Sequence, residues 1–343
     1  MTRVRICSVN GEWMNDWFTR DAEPEVAWRL QFTRDGQTND TAQTAGRLAA
    51  MIRAIDPDVL ALEEGPSRLA ELALFVRDHL ANSYEFFLGD TGAQQKLGLL
   101  YKPGSVDSAQ LAPHSQIVDL IDDWEADVNG DAVLDLYGFT RTPLVVDLVI
   151  GGHPLQVIVA HTKSNFINQG RSLWEDPATR QSYIVAALVN RRRISAEGMR
   201  IRRYLDRRLA EAADAPIIVL GDLNDGPGLD YFEERYITHN VTDILVGSAF
   251  APERVFTHAQ HDVAPDDRYT AVFEDFVPIR EVKRLLLDHI LLSPGLSRAD
   301  GLRRIDESGA IHHAEYETHV VNNGARRQDR PSDHRPVTVE LEH

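Results

Sequence analysis

Two short stretches of this 343-residue chain carry groups suited to chemistry: Gly221-Asp222-Leu223-Asn224 and Ser332-Asp333-His334. The apolar run Ala215-Pro216-Ile217-Ile218-Val219-Leu220 leads into the first, and Pro336-Val337-Thr338-Val339 leaves the second. Each stretch therefore sits at a strand end, where a rigid scaffold can hold reactive side chains. An Asp and an Asn one residue apart offer oxygen and amide contacts to one small site. An Asp-His pair supplies a carboxylate for a hard cation and an imidazole that titrates near neutrality. That combination suits hydrolysis of a phosphate ester.

Further polar groups fall at strand ends. Glu63-Glu64 follows the buried strand expected at Asp58–Leu62, and Asp288 sits in the apolar run Leu285–Leu292. An acid in an apolar strand is costly unless it meets a cation, a partner or a proton. For Asp288 the choice is between capping a backbone or arginine group and orienting a histidine, and we expect the latter. His161 ends the strand Leu155–Ala160 and opens His161-Thr162-Lys163-Ser164, polar side chains where the strand stops. Asn10 ends the first strand, Val4–Val9, in the same way; alone it would read as a turn former.

The elements that must position these groups interleave. An amphipathic helix is expected at Thr41–Ile55, with Ala45, Leu48, Ala49, Ile52 and Ile55 on one face, and a second at Ser67–Leu80, capped by Ser67. Tyr84–Leu88, Leu97–Tyr101, Leu144–Ile150 and Leu155–His161 read as strands, the last two joined as a hairpin by Gly151-Gly152. Asn165–Glu211 reads as one or two helices, and later strands are expected at Arg254–Thr257, Leu285–Leu292 and Arg335–Glu340. Gly11–Asp40, with Trp13, Trp17 and Trp28, and the acidic Ile121–Asp131 read as loop insertions. No repeat or composition break divides the chain, so one domain is expected over residues 1–340, with Leu341-Glu342-His343 set aside as a possible tag.

Composition narrows the partners. A net charge of −17 argues against a broad nucleic-acid-gripping surface, yet a metal site is itself acidic. Eight arginines concentrate between Arg191 and Arg208, either as a solvated helix face or as a clamp on substrate phosphates. A single cysteine, Cys7, rules out a disulfide framework. With no apolar run long enough to span a membrane and no signal-like N-terminus, a cytoplasmic protein of undefined oligomeric state is expected.

Taken together and in order, Asn10, Glu64, His161-Thr162-Lys163-Ser164, Gly221-Asp222-Leu223-Asn224, Asp288 and Ser332-Asp333-His334 resemble the motifs of the endonuclease/exonuclease/phosphatase superfamily, metal-dependent phosphoesterases that include pancreatic deoxyribonuclease-like and abasic-site exonuclease-like branches. The resemblance runs from Val4 to Val339. It implies a four-layer α/β sandwich: two packed mixed, mainly antiparallel sheets flanked by helices. It implies Mg²⁺ or Mn²⁺ held by Glu64 with help from Asn10 or Asp333. Asp222 or His334 would activate water, with His334 oriented by Asp288. Asn224 would hold phosphate oxygens, and His161 would stabilise them or protonate the leaving oxygen. Arg141-Thr142-Pro143 resembles an R-x-P element facing the substrate phosphate, and Lys163 joins it as a phosphate ligand. Two departures stand out: Glu63 where the family usually has Gln, and Leu286 where an Arg often stands.

Three functions compete. A metal-dependent nuclease acting on DNA or RNA is favoured by Arg141, the His161–Ser164 element and the arginine cluster. Arg141 with Arg180 or Arg191–Arg193 would then line the cleft. A phosphatase or phosphodiesterase acting on a small molecule or lipid head group is favoured by the acidity and by Trp13, Trp17 and Trp28, which could wall a pocket. A non-catalytic binding member is disfavoured, because every catalytic position holds a competent residue type.

Overall fold

The structure, a computed structural model, describes residues 2–19, 26–90, 94–238, 240–298, 301–321 and 326–343. Its first sheet runs, in spatial order, β11 (Arg303–Arg304), β12 (Val337–Glu342), β1 (Arg3–Asn10), β2 (Val59–Gly65), β4 (Lys96–Tyr101) and β3 (Glu85–Leu88), with Ala310–Ile311 added against β12. The second runs β9 (Thr257–His258), β10 (Asp288–Leu292), β8 (Ile217–Asp222), β7 (His153–Val159), β6 (Leu144–Ile150) and β5 (Ser108–Leu111). Each sheet holds one parallel pair, β1 with β2 and β7 with β8; the other pairs are antiparallel.

A parallel pair needs a crossover, and here both crossovers are helical. Helix α1 (Thr41–Ile55) links β1 to β2; α4 (Gly170–Glu175) and the 32-residue α5 (Arg180–Glu211) link β7 to β8. Strand residues pointing opposite ways are both buried, which explains the near-continuous apolar runs. Ile6, Val59, Leu99, Val157, Ile218 and Val339 pack between the sheets. On the outer face, Cys7, Leu60 and Leu62 pack under Leu48 and Ile52 of α1 and Phe75 of α2 (Leu69–His79). Ile158, Val219 and Leu291 pack under Ile201, Tyr204 and Leu205 of α5 and Val241 of α6 (Val241–Val246). Helix, sheet, sheet, helix is the expected four-layer α/β sandwich.

Several expected elements move. The apolar run 285–292 is broken: Glu281–Leu285 pairs with Ala271–Asp275 as a separate hairpin, and β10 starts at Asp288. Asp288 therefore opens its strand, directly opposite Asp222 in register. Helix α2 starts at Leu69; Arg68 caps it through its backbone N–H on Glu71, 2.9 Å, while the Ser67 hydroxyl donates to the Gln94 carbonyl. The segment 11–40, expected to be an insertion loop, contains a 3₁₀ turn at Met14–Trp17 and the hairpin Gln31–Arg34/Gln37–Asp40. The acidic stretch 121–131 likewise starts a hairpin, Trp124–Ala126 with Asp135–Tyr137. The short strand β5 and helix α3 (His114–Ile121) had no sequence signal strong enough to name. Strand β12 continues through Glu342 and buries Leu341, past the expected boundary.

One strand contact is pH-sensitive by construction. Gln260 N–H donates to His258 Nδ1, so His258 Nε2–H faces His289 Nδ1 at 2.7 Å, and His289 Nε2–H faces the Asp225 carbonyl at 2.7 Å. This relay works only with both rings neutral, because a second proton would set two donors against each other. Burial, the largest cause, depresses both pKa values. In the unfolded chain both rings take up protons near pH 6.5, so the folded state loses stability as pH falls below that value. The stability gap between parent and His258→Gln should therefore narrow by up to roughly 1.4 kcal/mol per pH unit, the share of the one ring removed, as pH falls from about 6.5 to 5, read by denaturant unfolding. A gap independent of pH would show that the pair is not neutral.

Candidate active site

Four strand ends of the two parallel pairs open on the same side, and they deliver Asn10, Glu63-Glu64, His161 and Asp222. Asp222 is the meeting point. It is 2% exposed, and its Oδ2 lies 3.1 Å from Asn10 Nδ2, 3.5 Å from His161 Nε2 and 4.0 Å from His334 Nε2. Its Oδ1 accepts the Asn224 backbone N–H at 2.9 Å. The approach needs Gly221, whose φ is +134°, because a Cβ there would collide with the Ala160 carbonyl.

Asp288 Oδ2 accepts from His334 Nδ1 at 2.7 Å, as expected from the sequence. Burial pushes the His334 pKa down, but Asp288, Asp222 and Asp333 outweigh it and lift it well above the usual imidazole value. For Asp222, burial dominates; His334 pulls its pKa down, Asp288 and Glu64 push it up, and it rises to about 7. His161 is 2% exposed, and burial, then Arg141 and His334, hold its pKa well below the ordinary value, which favours the neutral ring. Its Nε2 lies 3.5 Å from Asp222 Oδ2. Of its two expected roles, donating a hydrogen bond to phosphoryl oxygens suits a neutral ring better than protonating the leaving oxygen.

On the other side stand the hard oxygen donors. Glu64 Oε2 accepts the Trp13 backbone N–H at 3.1 Å and Gln95 Nε2 at 2.5 Å. Burial raises its pKa most, Arg141 and His334 lower it, and the Asp333 charge raises it, so the two carboxylates share one field. Asp333 pairs with Arg327 at 2.8 Å, and Arg327 also grips Glu12 at 2.7 Å. Asn10 Oδ1 accepts the Glu12 N–H at 2.8 Å. Carboxylate and amide oxygens of this kind suit Mg²⁺ or Mn²⁺. A second cation-compatible group exists: ligand atoms of Asp222, Asp288 and His334 all lie within 4.8 Å of one another. In that group Asp288 and His334 already spend an oxygen and a nitrogen on each other. Glu64, Asp333 and Asn10 offer oxygens alone, the donor type a hard cation prefers, and are likewise hydrogen-bonded or ion-paired.

The expected phosphate ligands are more engaged than anticipated. Arg141 donates to Gln95 Oε1 at 2.9 Å and to the Thr162 carbonyl at 3.3 Å, which makes a relay Arg141–Gln95–Glu64 between the sheets. Lys163 Nζ donates to the Ser164 carbonyl at 2.9 Å, and Asn224 Nδ2 to the Thr162 carbonyl at 3.2 Å. Three of the arginines expected on a rim are bonded to protein groups. Arg191 is buried on Asp230 and Glu233, Arg193 donates to the Gly138 carbonyl, and Arg180 to the Trp174 carbonyl at 2.9 Å. Of the tryptophans expected to wall a pocket, Trp17 is fully buried, Trp28 packs on Phe18 and His79, and Trp13 is half exposed. A cleft of about 540 Å³ opens at the opposite ends of β7 and β8, lined by Leu155, Gln156, Pro216 and Arg208, and holds none of these groups.

Two structural residues escaped the sequence reading. Gln95 is one. The other is Glu197, fully buried on α5, which accepts Thr140 N–H at 2.8 Å, Thr140 Oγ1 at 2.7 Å and Lys163 N–H at 2.8 Å. It straps the loop of Arg141 to the loop of His161. The signal was an acid among Ile194, Ala196, Gly198 and Ile201, hidden in an arginine-rich run.

The chain belongs to the Endonuclease/Exonuclease/phosphatase family, whose model matches residues 27–334. The family's members are typically phosphoesterase hydrolases that use divalent metals. Among solved structures, the chain resembles D. rerio TDP2 complexed with single strand DNA product (16% identity, 100% of each chain, TM-score 0.52). It also resembles truncated Caenorhabditis elegans TDP2 (14%, 99% of this chain and 98% of that one, 0.52) and an endonuclease/exonuclease/phosphatase from Bacteroides vulgatus (14%, 100% and 99%, 0.52). At these identities the likeness establishes the fold. No curated protein matches the chain. Among the described residues no helix is long and apolar enough to cross a membrane.

Glu63 generates a prediction here. It is fully buried; its Oε1 accepts the Ser8 hydroxyl at 2.8 Å, but its Oε2 has no partner. Burial first, then Asp288 and Asp222, raise its pKa well above the usual value. The unfolded carboxyl ionises near pH 4.3 and the folded one only at higher pH, so stability is lost as pH rises above that value. Glu63→Gln keeps the shape, removes the ionisation and supplies a donor near two carboxylates. In chelator its melting temperature should exceed the parent's at pH 7, with the gap shrinking toward pH 4. A lower melting temperature at pH 7 would refute this.

Proposed function

We propose that this protein is a Mg²⁺- or Mn²⁺-dependent phosphodiesterase whose substrate is nucleic acid. The observation that carries the reading is the buried Asp288–His334 pair placed beside Asp222, itself tied to Asn10 next to the oxygen donors. A neighbour of the same fold holding a single-strand DNA product supports the substrate class. The inward turn of Trp17 and the packing of Trp28 weaken one of the two features that favour a small-molecule site, the other being the acidity.

Glu64, Asp333 and Asn10 would hold the cation, which when bound polarises the phosphate and offsets its charge. Asp222, with a pKa of about 7, accepts a proton from the attacking water. As the water oxygen bonds to phosphorus, the bond from phosphorus to the leaving oxygen breaks, and solvent supplies that oxygen's proton. His334, held toward its protonated form by Asp288, has Nε2 4.0 Å from Asp222 and 3.7 Å from Asp333, and would offer that N–H to the phosphoryl oxygens, where negative charge grows. The second N–H of the Asn224 amide serves the same oxygens. Glu197 positions the loops of Arg141 and His161, and His161, beside Asp222, would donate to the phosphoryl oxygens.

Activity on plasmid DNA, single-stranded DNA, RNA and bis-p-nitrophenyl phosphate, each with Mg²⁺, Mn²⁺ or chelator, tests the reading. Cleavage of the small ester alone would return the assignment to a small-molecule phosphodiesterase. Glu64→Ala should abolish metal-dependent hydrolysis and the Mn²⁺-induced rise in melting temperature while the chain stays folded. A Mn²⁺ ion found more than about 6 Å from Glu64 would overturn its role. Asp288→Asn should lower kcat by roughly 100-fold with little change in KM, since it removes the charge that holds His334 protonated. An unchanged kcat would mean that the pair is structural.

A further inference from the structure

We infer that Trp13 and Phe166 are stacking platforms for nucleobases flanking the scissile phosphate, and that the preferred substrate is single-stranded. This rests on the nuclease reading above. Trp13 belongs to a segment wrapped around the oxygen donors. Gly11 N–H bonds the Glu63 carbonyl at 2.8 Å, Glu12 N–H bonds Asn10 Oδ1 at 2.8 Å, and Trp13 N–H bonds Glu64 Oε2 at 3.1 Å. Glu12 and Trp13 are left-handed, φ 41° and 63°, which this winding requires. Its neighbours Met14 and Trp17 enter the core, yet the Trp13 side chain stays 50% exposed.

Phe166 stands on the other sheet's loop and is 76% exposed. Its N–H donates to Ser164 Oγ at 3.1 Å, its carbonyl accepts Asn190 Nδ2 at 3.3 Å, and Asn165 Nδ2 holds the Asn224 carbonyl at 2.9 Å. Single exposed apolar side chains are ordinary on protein surfaces. What sets these two apart is rigid attachment: one is bonded to a metal-donor carboxylate, the other is clamped beside Asn224.

Charge points the same way. The chain carries −17, and Arg141, Lys163, Arg191 and Arg193 bond protein groups. A grip on the bases would add to the phosphate contacts a polynucleotide makes. Flat side chains stacking on base faces provide one, tolerant of sequence. In a duplex those faces are covered by neighbouring base pairs, so the platforms select an unpaired strand.

The test uses a 12-nucleotide single-stranded DNA, the same sequence as RNA, its duplex, and an oligomer of equal length with tetrahydrofuran in place of every base, all with Mn²⁺. The parent should cleave base-bearing single strands with a KM at least about tenfold below that of the base-free oligomer, and should cleave the duplex more slowly. In Phe166→Leu and in Trp13→Leu that ratio should move toward one, while Phe166→Tyr and Trp13→Phe keep it. A preference for DNA or RNA at an equal base effect identifies which sugar the site accepts. Cleavage of oligomers with a ratio unaffected by either leucine variant, or of duplex as fast as single strand, overturns this inference and leaves the nuclease reading standing. No cleavage of any oligomer, with hydrolysis of bis-p-nitrophenyl phosphate, overturns both.

Discussion

The carboxylate of Asp222 is the constraint around which the molecule is arranged. A carboxylate shut away from water is tolerated only when its oxygens are met by donors. Four separate places face it: the Asn10 side-chain amide at the end of β1 and the Asn224 backbone N–H donate to it, and the His161 ring after β7 and the His334 ring before β12 lie 3.5 Å and 4.0 Å away. Two of the four belong to one sheet and two to the other. Satisfying one acid therefore fixes how the sheets face each other. Asp288 adds to this by meeting Asp222 in register across β8 and β10 and reaching His334 from the second sheet.

The crossovers make that convergence possible. A parallel pair carries both C-terminal ends to the same edge, and each sheet has one such pair at its centre. Their four ends place an amide, two adjacent glutamates, a histidine and an aspartate within one small volume. An all-antiparallel sandwich would scatter neighbouring strand ends to opposite edges. Long helices on the outside are the consequence of this choice, and α5 is used twice: its apolar face covers the second sheet, and Glu197 reaches through to tie two site loops.

Much of this was readable before the structure. Strand ends announced themselves because a buried strand is a continuous apolar run, and a polar residue ending such a run stands out. Glu64, His161 and Asp222 stand out in that way and Asp333-His334 by leading into such a run, whereas Asn10 alone reads as a turn former and gains meaning only with the other motifs. What could not be read were partnerships across long separations. Nothing near Gln95 indicates that it bridges Arg141 and Glu64, and nothing near Arg327 indicates that it pairs with Asp333. Arg191 and Arg193 look like surface charge because periodicity describes a helix, not what packs on it. The same limit misplaced Trp17: aromatic residues in a segment without periodicity say nothing about which ones turn inward. Hairpins such as Gln31–Arg34/Gln37–Asp40 were missed because each strand has only four residues.

Backbone strain follows the same map. Glu12, Trp13, Glu64 and Asn224 all adopt left-handed conformations, with φ of 41°, 63°, 52° and 50°. Each such residue costs on the order of 1 kcal/mol or more, and it persists only where the surroundings over-determine it. Here they do. Glu64 is held by the N–H of Trp13 and by Gln95, and Asn224 by Asp222 and Thr162. Relaxing any of these four would pull a donor from the Asp222 cluster or rotate Glu64 away from Asp333. The apolar layers on either side supply the stability that keeps them in place. The site is thus rigid because its strain and its hydrogen bonds are the same set of contacts, and a substrate meets groups already aimed at it.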